Sequence, residues 1–179
     1  AKFLIKLNKS KSKYPIVTTV MSNIGLENYI LNKFKVNLKR SSVGDINVIK
    51  EMQKYNSLLG GEQSGHIILS DYSKTGDGIL AALKVSEIIA KLEKTVSSIF
   101  NLYENFPQIK INVPYKKISK NTLKYIKDIN KKKLSDKNMR ILIRISGTEP
   151  LIRILVEGKD LVQVDKQAKI IEKDIRNKL

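Results

Sequence analysis

The clearest signal in the chain is the alternation of short β-branched runs with stretches whose apolar residues recur every three or four positions. Ile16-Val17-Thr18-Thr19-Val20 is β-branched almost throughout and is entered from Pro15, which predicts a buried strand. Asn23 and Gly25 break that run, and Leu26, Tyr29, Ile30 and Phe34 then recur at helical spacing. Asn37-Leu38-Lys39-Arg40 leads into a second strand that stops at Gly44, and Val48, Ile49, Met52 and Tyr55 mark a second helix. Leu58-Leu59 and Ile67-Ile68-Leu69 are strand material on either side of a glycine-rich turn. Thr75 or Asp77 is placed to cap a helix through Ile79, Leu83, Ile88, Ile89 and Leu92. Strand–helix alternation of this kind predicts an α/β layer domain over residues 1–97.

Residues 98–107 lack a strong period and read as a linker. From residue 108 the pattern changes. Ile109-Lys110-Ile111-Asn112-Val113 alternates as a half-buried strand, and a lysine-rich helix follows with Leu123, Ile126 and Ile129 on one side. Two strands, Arg140 to Ile145 and Leu151 to Val156, flank Ser146-Gly147-Thr148-Glu149-Pro150. A helix with Val164, Ala168, Ile171 and Ile175 at core spacing closes the chain. Residues 108–179 therefore read as a small α+β domain. There is no internal repeat.

Composition narrows the chemistry. With 41% hydrophobic and 28% charged residues among 179, the chain has the make-up of a folded protein rather than a disordered tail. It has no Cys and one His, which excludes a disulfide scaffold, thiolate or multi-His metal centres and a Cys nucleophile within this chain. No run approaches the ~18 consecutive apolar residues of a membrane helix. Ala1-Lys2-Phe3-Leu4-Ile5-Lys6-Leu7 is too short and too lysine-interrupted for a secretory core, so the expected address is the cytoplasm and no membrane partner is expected.

The net charge of +17 raises nucleic acid as a partner, but only five of the 34 basic residues are Arg. Dedicated readers of bases concentrate Arg and aromatics on one face. Here lysine is spread along the whole chain together with abundant Asn and Ile, and the densest run, Lys131-Lys132-Lys133, has no aromatic within it. That favours a solvated surface with compositional bias over a specific nucleic-acid partner, although salt-sensitive, non-specific polyanion binding remains an expectation.

Two turns could carry chemistry. In Arg144-Ile145-Ser146-Gly147-Thr148-Glu149-Pro150-Leu151-Ile152-Arg153, a central Gly lets backbone N–H groups converge on an anion, Ser146 and Thr148 add hydroxyls, and two of the five Arg flank the turn. Guanidinium matches phosphate bidentately, where Lys offers a point charge. The same spacing fits equally well a hairpin with Arg on an exposed strand face. In Gly60-Gly61-Glu62-Gln63-Ser64-Gly65-His66, the glycines would let backbone approach a ligand, and a carboxylate beside a hydroxyl suits neighbouring sugar hydroxyls. A plain turn with a solvated Glu is the simpler reading of that spacing, and a hydrogen-bonded structural role the simpler one for His66. Thr75-Gly76-Asp77-Gly78 reads as a turn and cap, since one carboxylate is too few for a Mg²⁺ or Ca²⁺ cage and the chain has no Asp-x-Asp pair. Asp45, in Val43-Gly44-Asp45, lies in a third polar turn with no decisive signal.

Taken together, these motifs resemble the α-D-phosphohexomutase superfamily, and within it the bacterial phosphoglucosamine mutase branch. Thr18-Thr19-Val20-Met21-Ser22-Asn23-Ile24-Gly25-Leu26 is similar to a strand-and-turn segment of that family, Gly60 to Ile68 to its sugar-recognition loop, and Arg144 to Arg153 to its phosphate-binding loop. Thr75 to Gly78 and Pro107 to Val113 also fit, and Gln63 between Glu62 and Ser64 favours the glucosamine branch. The match runs through nearly all of the chain, with the motifs in order.

The resemblance implies the last two of four domains: a three-layer α/β third domain lacking its first strand, followed by the small α+β fourth domain. It implies sugar contacts from Glu62, Ser64 and His66, and phosphate contacts from Arg144, Ser146, Gly147, Thr148 and Arg153. It also implies that the phosphoserine loop and the Asp-rich loop for Mg²⁺ lie in the first two domains, outside this chain, so that no catalytic residue and no metal ligand belongs here. The expected activity of the whole enzyme is interconversion of glucosamine 6-phosphate and glucosamine 1-phosphate through a bisphosphate. The expected partners are the phosphosugar and an N-terminal half, and the chain alone is expected to be inactive. Two departures stand out: neither the phosphoserine loop nor the Asp-rich loop is present in this sequence, and Ile46 stands where the branch usually has Arg; Ile145 in place of the usual Pro is milder. A glucose- or mannose-phosphate mutase fragment, a non-catalytic remnant and a basic polyanion-binding module are the alternatives.

Overall fold

The computed structural model describes residues 14–92, 95–131 and 139–179. The Ala1–Leu7 opening and Lys132–Lys133 of the lysine run lie outside the described residues. The chain divides into two compact units between Glu104 and Asn105.

The first unit runs β1 (Ile16–Thr19), α1 (Ile24–Phe34), β2 (Leu38–Ser41), α2 (Asp45–Tyr55), β3 (Leu59–Gly61), β4 (Ile67–Leu69), α3 (Gly78–Leu92) and α4 (Val96–Phe100). The sheet order is β2-β1-β3-β4; β2, β1 and β3 are parallel, and β4 returns antiparallel to β3. All four residues of β1 are buried, which is why its sequence is β-branched throughout rather than alternating. Successive β1 side chains serve opposite faces. Ile16 joins Ile30, Val36 and Leu38 under α1, while Val17 joins Val48, Met52 and Ile68 under α2. Helix, sheet and helix thus make three layers. Asn23, which ends the first strand pattern, caps α1 by accepting from the Gly25 N–H at 2.8 Å. Of the two candidate caps before α3, Asp77 is the one used, its Oδ1 accepting from Leu80 N at 2.9 Å.

Residues 98–107, expected to be a linker, begin inside α4 and are tied to the first unit as far as Glu104. The cause is Gly25. A Cβ there would fall 2.3 Å from the Glu104 carbonyl oxygen, so glycine is what lets the chain lie against α1, with Tyr103 tilted against Tyr29 at 6.0 Å between ring centroids.

The second unit runs β5 (Gln108–Pro114), α5 (Lys120–Lys131), β6 (Met139–Ile145), β7 (Leu151–Gly158) and α6 (Leu161–Lys178). Its sheet is antiparallel in the order β5-β7-β6. β5 continues through Pro114, paired with Leu151, rather than stopping before it. Val113, Ile143, Ile152, Ile154 and Val156 meet Val164, Ala168, Ile171 and Ile175 of α6 and Ile126 of α5 in one core. The edge strand β6 is protected at Ile143, whose N–H and C=O are both bonded by the Asn130 side chain, at 2.9 and 2.7 Å. Asp160 caps α6 by accepting from Val162 N and Gln163 N.

Glu157 is fully buried in β7. Its two carboxylate oxygens are answered by Arg140 and by the Gln108 amide, each at 2.5 Å. A buried carboxylate survives only when paired in this way.

Candidate phosphosugar site

The glycines before Glu62 belong to β3 rather than to the turn. Gly60 pairs with Val17 on one side and Ile68 on the other, and Gly61 pairs with Thr18 and Ile67. Their expected purpose, close approach to a ligand, gives way to a packing one. A Cβ on Gly60 would lie 2.2 Å from Met52 Sδ and 2.9 Å from Val48 Cγ1, so the missing side chain is what seats α2 on the sheet. A Cβ on Gly61 would fall 2.9 Å from the His66 carbonyl oxygen. Gly65, at φ 106°, supplies the left-handed residue that the tight β3–β4 turn requires.

This hairpin holds Glu62, Ser64 and His66 together. The Glu62 N–H donates to the His66 carbonyl at 2.9 Å, and Gly65 N–H to the Glu62 carbonyl at 3.1 Å. The Glu62 side chain is 8% exposed. Its Oε1 accepts from the Gly44 N–H at 2.9 Å, at the N-terminal end of α2, where a helix favours negative charge. Its Oε2 lies 3.5 Å from Ser64 Oγ and 3.3 Å from His66 Nδ1, and Ser64 Oγ is 3.3 Å from the same nitrogen. One carboxylate oxygen is therefore anchored, while the other makes long contacts that an incoming hydroxyl can replace. His66 is exposed on the surface of this turn rather than held in the core.

Gly44 follows β2 and Glu62 follows β3, so the cluster lies beyond the carboxyl ends of parallel strands, the usual ligand position in open α/β sheets. Gly44 was not singled out in the sequence, where nothing links it to a carboxylate 18 positions away. Beneath the cluster, Thr18 Oγ1 bonds both the Ser22 hydroxyl and the Gly61 carbonyl. Arg40 holds the Ser22 carbonyl at 2.6 Å and the Glu27 carboxylate at 2.9 Å, fixing the turn after β1.

In the second unit, Arg144 of β6 and Arg153 of β7 are direct cross-strand partners, and Asn112 of β5 stands opposite Arg153 on its other side. Partners in register share a sheet face, so Asn112, Arg153 and Arg144 form one row on the face away from α5 and α6. Asn112 is the member of this row that the sequence did not mark. Arg153 pairs with Glu149, yet its Nε is buried without a hydrogen-bond partner. Arg144 has no ion-pair partner among the described residues. Two like charges placed directly opposite destabilise a sheet unless an anion lies between them.

The turn beside this row is closed by Ser146 N–H donating to the Leu151 carbonyl at 2.8 Å and Leu151 N–H to the Glu149 carbonyl at 2.8 Å. Ser146 is buried, while Gly147 and Thr148 are exposed. Gly147 does not have the positive φ that a strained turn would need, and a Cβ on it would meet nothing within 4 Å. Among the described residues, none packs against this position closely enough to exclude a side chain.

Among the described residues no group of three or more His, Cys, Asp or Glu is placed together to hold a metal ion. No helix among them is long and apolar enough to cross a membrane.

Residues 1–106 match the family model described as phosphoglucomutase/phosphomannomutase, alpha/beta/alpha domain III, and residues 108–173 match that family's C-terminal domain. The chain belongs to the phosphoglucomutase/phosphomannomutase family. It is 44% identical over 171 residues to the phosphoglucosamine mutase of Fusobacterium nucleatum, covering 89% of this chain and 37% of that relative. It is 41% identical over 174 residues to the phosphoglucosamine mutase of Clostridium botulinum, covering 93% and 38%. The chain thus spans less than two-fifths of the length of these phosphohexomutases, at their C-terminal end. Aspergillus fumigatus N-acetylphosphoglucosamine mutase shares the fold, with a TM-score of 0.76 at 18% identity over 98% of this chain and 41% of that one. A structure of the fungal enzyme in complex with GlcNAc-6P and magnesium has a TM-score of 0.73 at 17% identity, over 96% and 44%.

Proposed function

We propose that this chain is the C-terminal half of a phosphoglucosamine mutase, which interconverts glucosamine 6-phosphate and glucosamine 1-phosphate through a bisphosphate. Arg144 and Arg153, with the Ser146, Gly147 and Thr148 turn, grip the phosphate that is not being transferred. Glu62, Ser64 and His66 read the sugar hydroxyls. The single observation that carries this reading is the placement of Arg144 directly opposite Arg153 beside the Ser-Gly-Thr turn, an arrangement that a dianion stabilises and its absence penalises. The weakly held Oε2 of Glu62 supports the other half of the task.

The transferable phosphate and the Mg²⁺ belong to the N-terminal half, where the metal would neutralise charge on the moving phosphoryl group. This chain contributes binding and orientation, which raise the rate by holding the reacting atoms in place. Alone it binds phosphosugar without turning it over. The test is a thermal shift with glucosamine 1,6-bisphosphate, followed by an assay of the chain mixed with an N-terminal half. Ligand at 100 times Kd stabilises by about 2.7 kcal/mol. Absence of any ligand effect refutes the binding assignment. Metal-dependent turnover by the chain alone refutes the division of labour, and failure of the mixture to turn over favours a remnant.

A further inference from the structure

Helix α5 buries Thr122 and Ile126 and packs Tyr125 and Ile129 against the core of the second unit. At about 100° per residue, Lys120, Lys124, Lys127 and Lys131 fall within roughly 60° of one another on the opposite side. All four are exposed, as are Lys116 and Lys117 in the connection that enters the helix. None of the six has an ion-pair partner among the described residues. Asp128, the one acidic residue of α5, lies beside the stripe rather than in it. Helix α6 also carries many basic residues but interleaves them with acids, Lys169 pairing with Asp165 at 2.7 Å and Arg176 with Glu172 at 2.8 Å. A general excess of lysine keeps off the inward face of a helix, but it does not gather the remainder into about a sixth of the circumference. Like charges three and four residues apart destabilise a helix unless anions lie along them.

We infer that the exposed face of α5 is a sequence-independent docking surface for the phosphate backbone of duplex nucleic acid. From Lys120 to Lys131 the stripe is about 16 Å long at 1.5 Å per residue, which parallels about five successive phosphates of one duplex strand. Cations and anions thus meet almost one for one. Lysine offers a point charge without the bidentate fork that reads a base edge, so the contact is to backbone. Single strands are held by rings stacked on bases, and the one ring on α5, Tyr125, is packed against the core with its hydroxyl on Asp174 at 2.7 Å. A helix lying on a membrane sinks its apolar face into lipid, whereas that face of α5 is occupied by the core. The Arg144–Arg153 row is on the other face of the sheet, so this surface is separate from the phosphosugar site and does not rest on it.

The test titrates the full chain into fluorescently labelled DNA duplexes of about 20 base pairs and two unrelated sequences, read by anisotropy from about 50 to 200 mM KCl. Both duplexes are expected to bind alike. Four lysines on four phosphates give a log–log salt slope of about −3.6, so affinity falls roughly 150-fold across that range. Lys124→Gln with Lys127→Gln is expected to halve the slope, leaving a fall of roughly 12-fold, and Lys124→Arg with Lys127→Arg to keep the wild-type slope. Gln is a good helix former and both sites are exposed, so the urea midpoint stays near that of the wild type. Lys166→Gln with Lys173→Gln on α6 removes the same charge from another exposed face and is expected to leave the slope unchanged. Equal losses from the two Gln pairs overturn the stripe and assign the binding to net charge alone. Preference for one sequence overturns the backbone reading. Binding to phosphatidylcholine–phosphatidylserine vesicles without binding to the duplexes overturns the choice of partner. Competition by glucosamine 1,6-bisphosphate moves the duplex to the arginine row and overturns the surface, whereas its absence supports a separate one.

Discussion

Replacing Arg144 with Thr is expected to move stability and binding in opposite directions. Arg144 and Arg153 are register partners on adjacent strands, and Arg144 has no ion-pair partner among the described residues. Directly opposed strand residues have Cβ atoms about 4.5–5.5 Å apart, and two unit charges at about 6 Å in a water-like dielectric would repel by 332/(80 × 6), roughly 0.7 kcal/mol. Glu149 answers part of the Arg153 charge, so the net penalty is a few tenths of a kcal/mol up to that figure. Thr is a good strand former and removes the repulsion. Urea unfolding at low salt should therefore show the ligand-free variant equal to or slightly more stable than the wild type, with the difference fading at high salt. Loss of a charge-assisted bond worth about 1.5–3 kcal/mol should weaken phosphosugar binding roughly 10- to 150-fold by calorimetry. A variant clearly less stable at low salt would show that Arg144 is held by the fold. Unchanged binding would remove the cross-strand pair from the ligand site.

Gly147→Ala tests the same turn without touching charge. With no positive φ and open space around the new Cβ, stability should stay level or rise by about 0.4–1 kcal/mol, while phosphosugar binding falls; a stability loss in urea would show that the glycine serves the fold. Gly60→Ala should do the reverse, costing about 1–3 kcal/mol because its Cβ runs into Met52 and Val48, and wild-type stability would contradict the packing described for α2. The Glu87 carboxyl is lowered from 4.5 to about 2, first by its hydrogen bond to Lys84 and then by that to Lys91. A depressed carboxyl contributes stability above its unfolded value and loses it as pH falls from there through its folded one, so the contribution of this triad should vanish between about 4.5 and about 2. An NMR titration in low salt that places Glu87 near the ordinary carboxylate range would refute the ion-paired geometry.

The strands and helices were legible because their signals are local. A β-branched run marked β1, three- and four-residue spacing marked α1, α2 and α6, and Asn23 and Asp77 stood at the starts of helices that they then cap. Both candidate turns were also visible, as small and polar residues set between strand patterns. What the glycines do was not visible. Gly25, Gly60 and Gly61 look like turn or ligand residues in sequence, but each is required by an atom distant in the chain or across a hairpin: the Glu104 carbonyl, Met52 Sδ and the His66 carbonyl. Gly147, which looks the same, has no atom among the described residues within 4 Å of where a Cβ would lie.

The sequence by itself determined the order and type of the elements, the change of architecture after residue 107 and the chemical character of the two turns. All of these depend on residues within a few positions of one another. Only the tertiary structure decided that Glu62 is held by the Gly44 N–H and that Arg144 faces Arg153 with Asn112 in the same row. Those facts depend on strand register and on which layer covers which face, and distant parts of the chain settle them by burying apolar surface together.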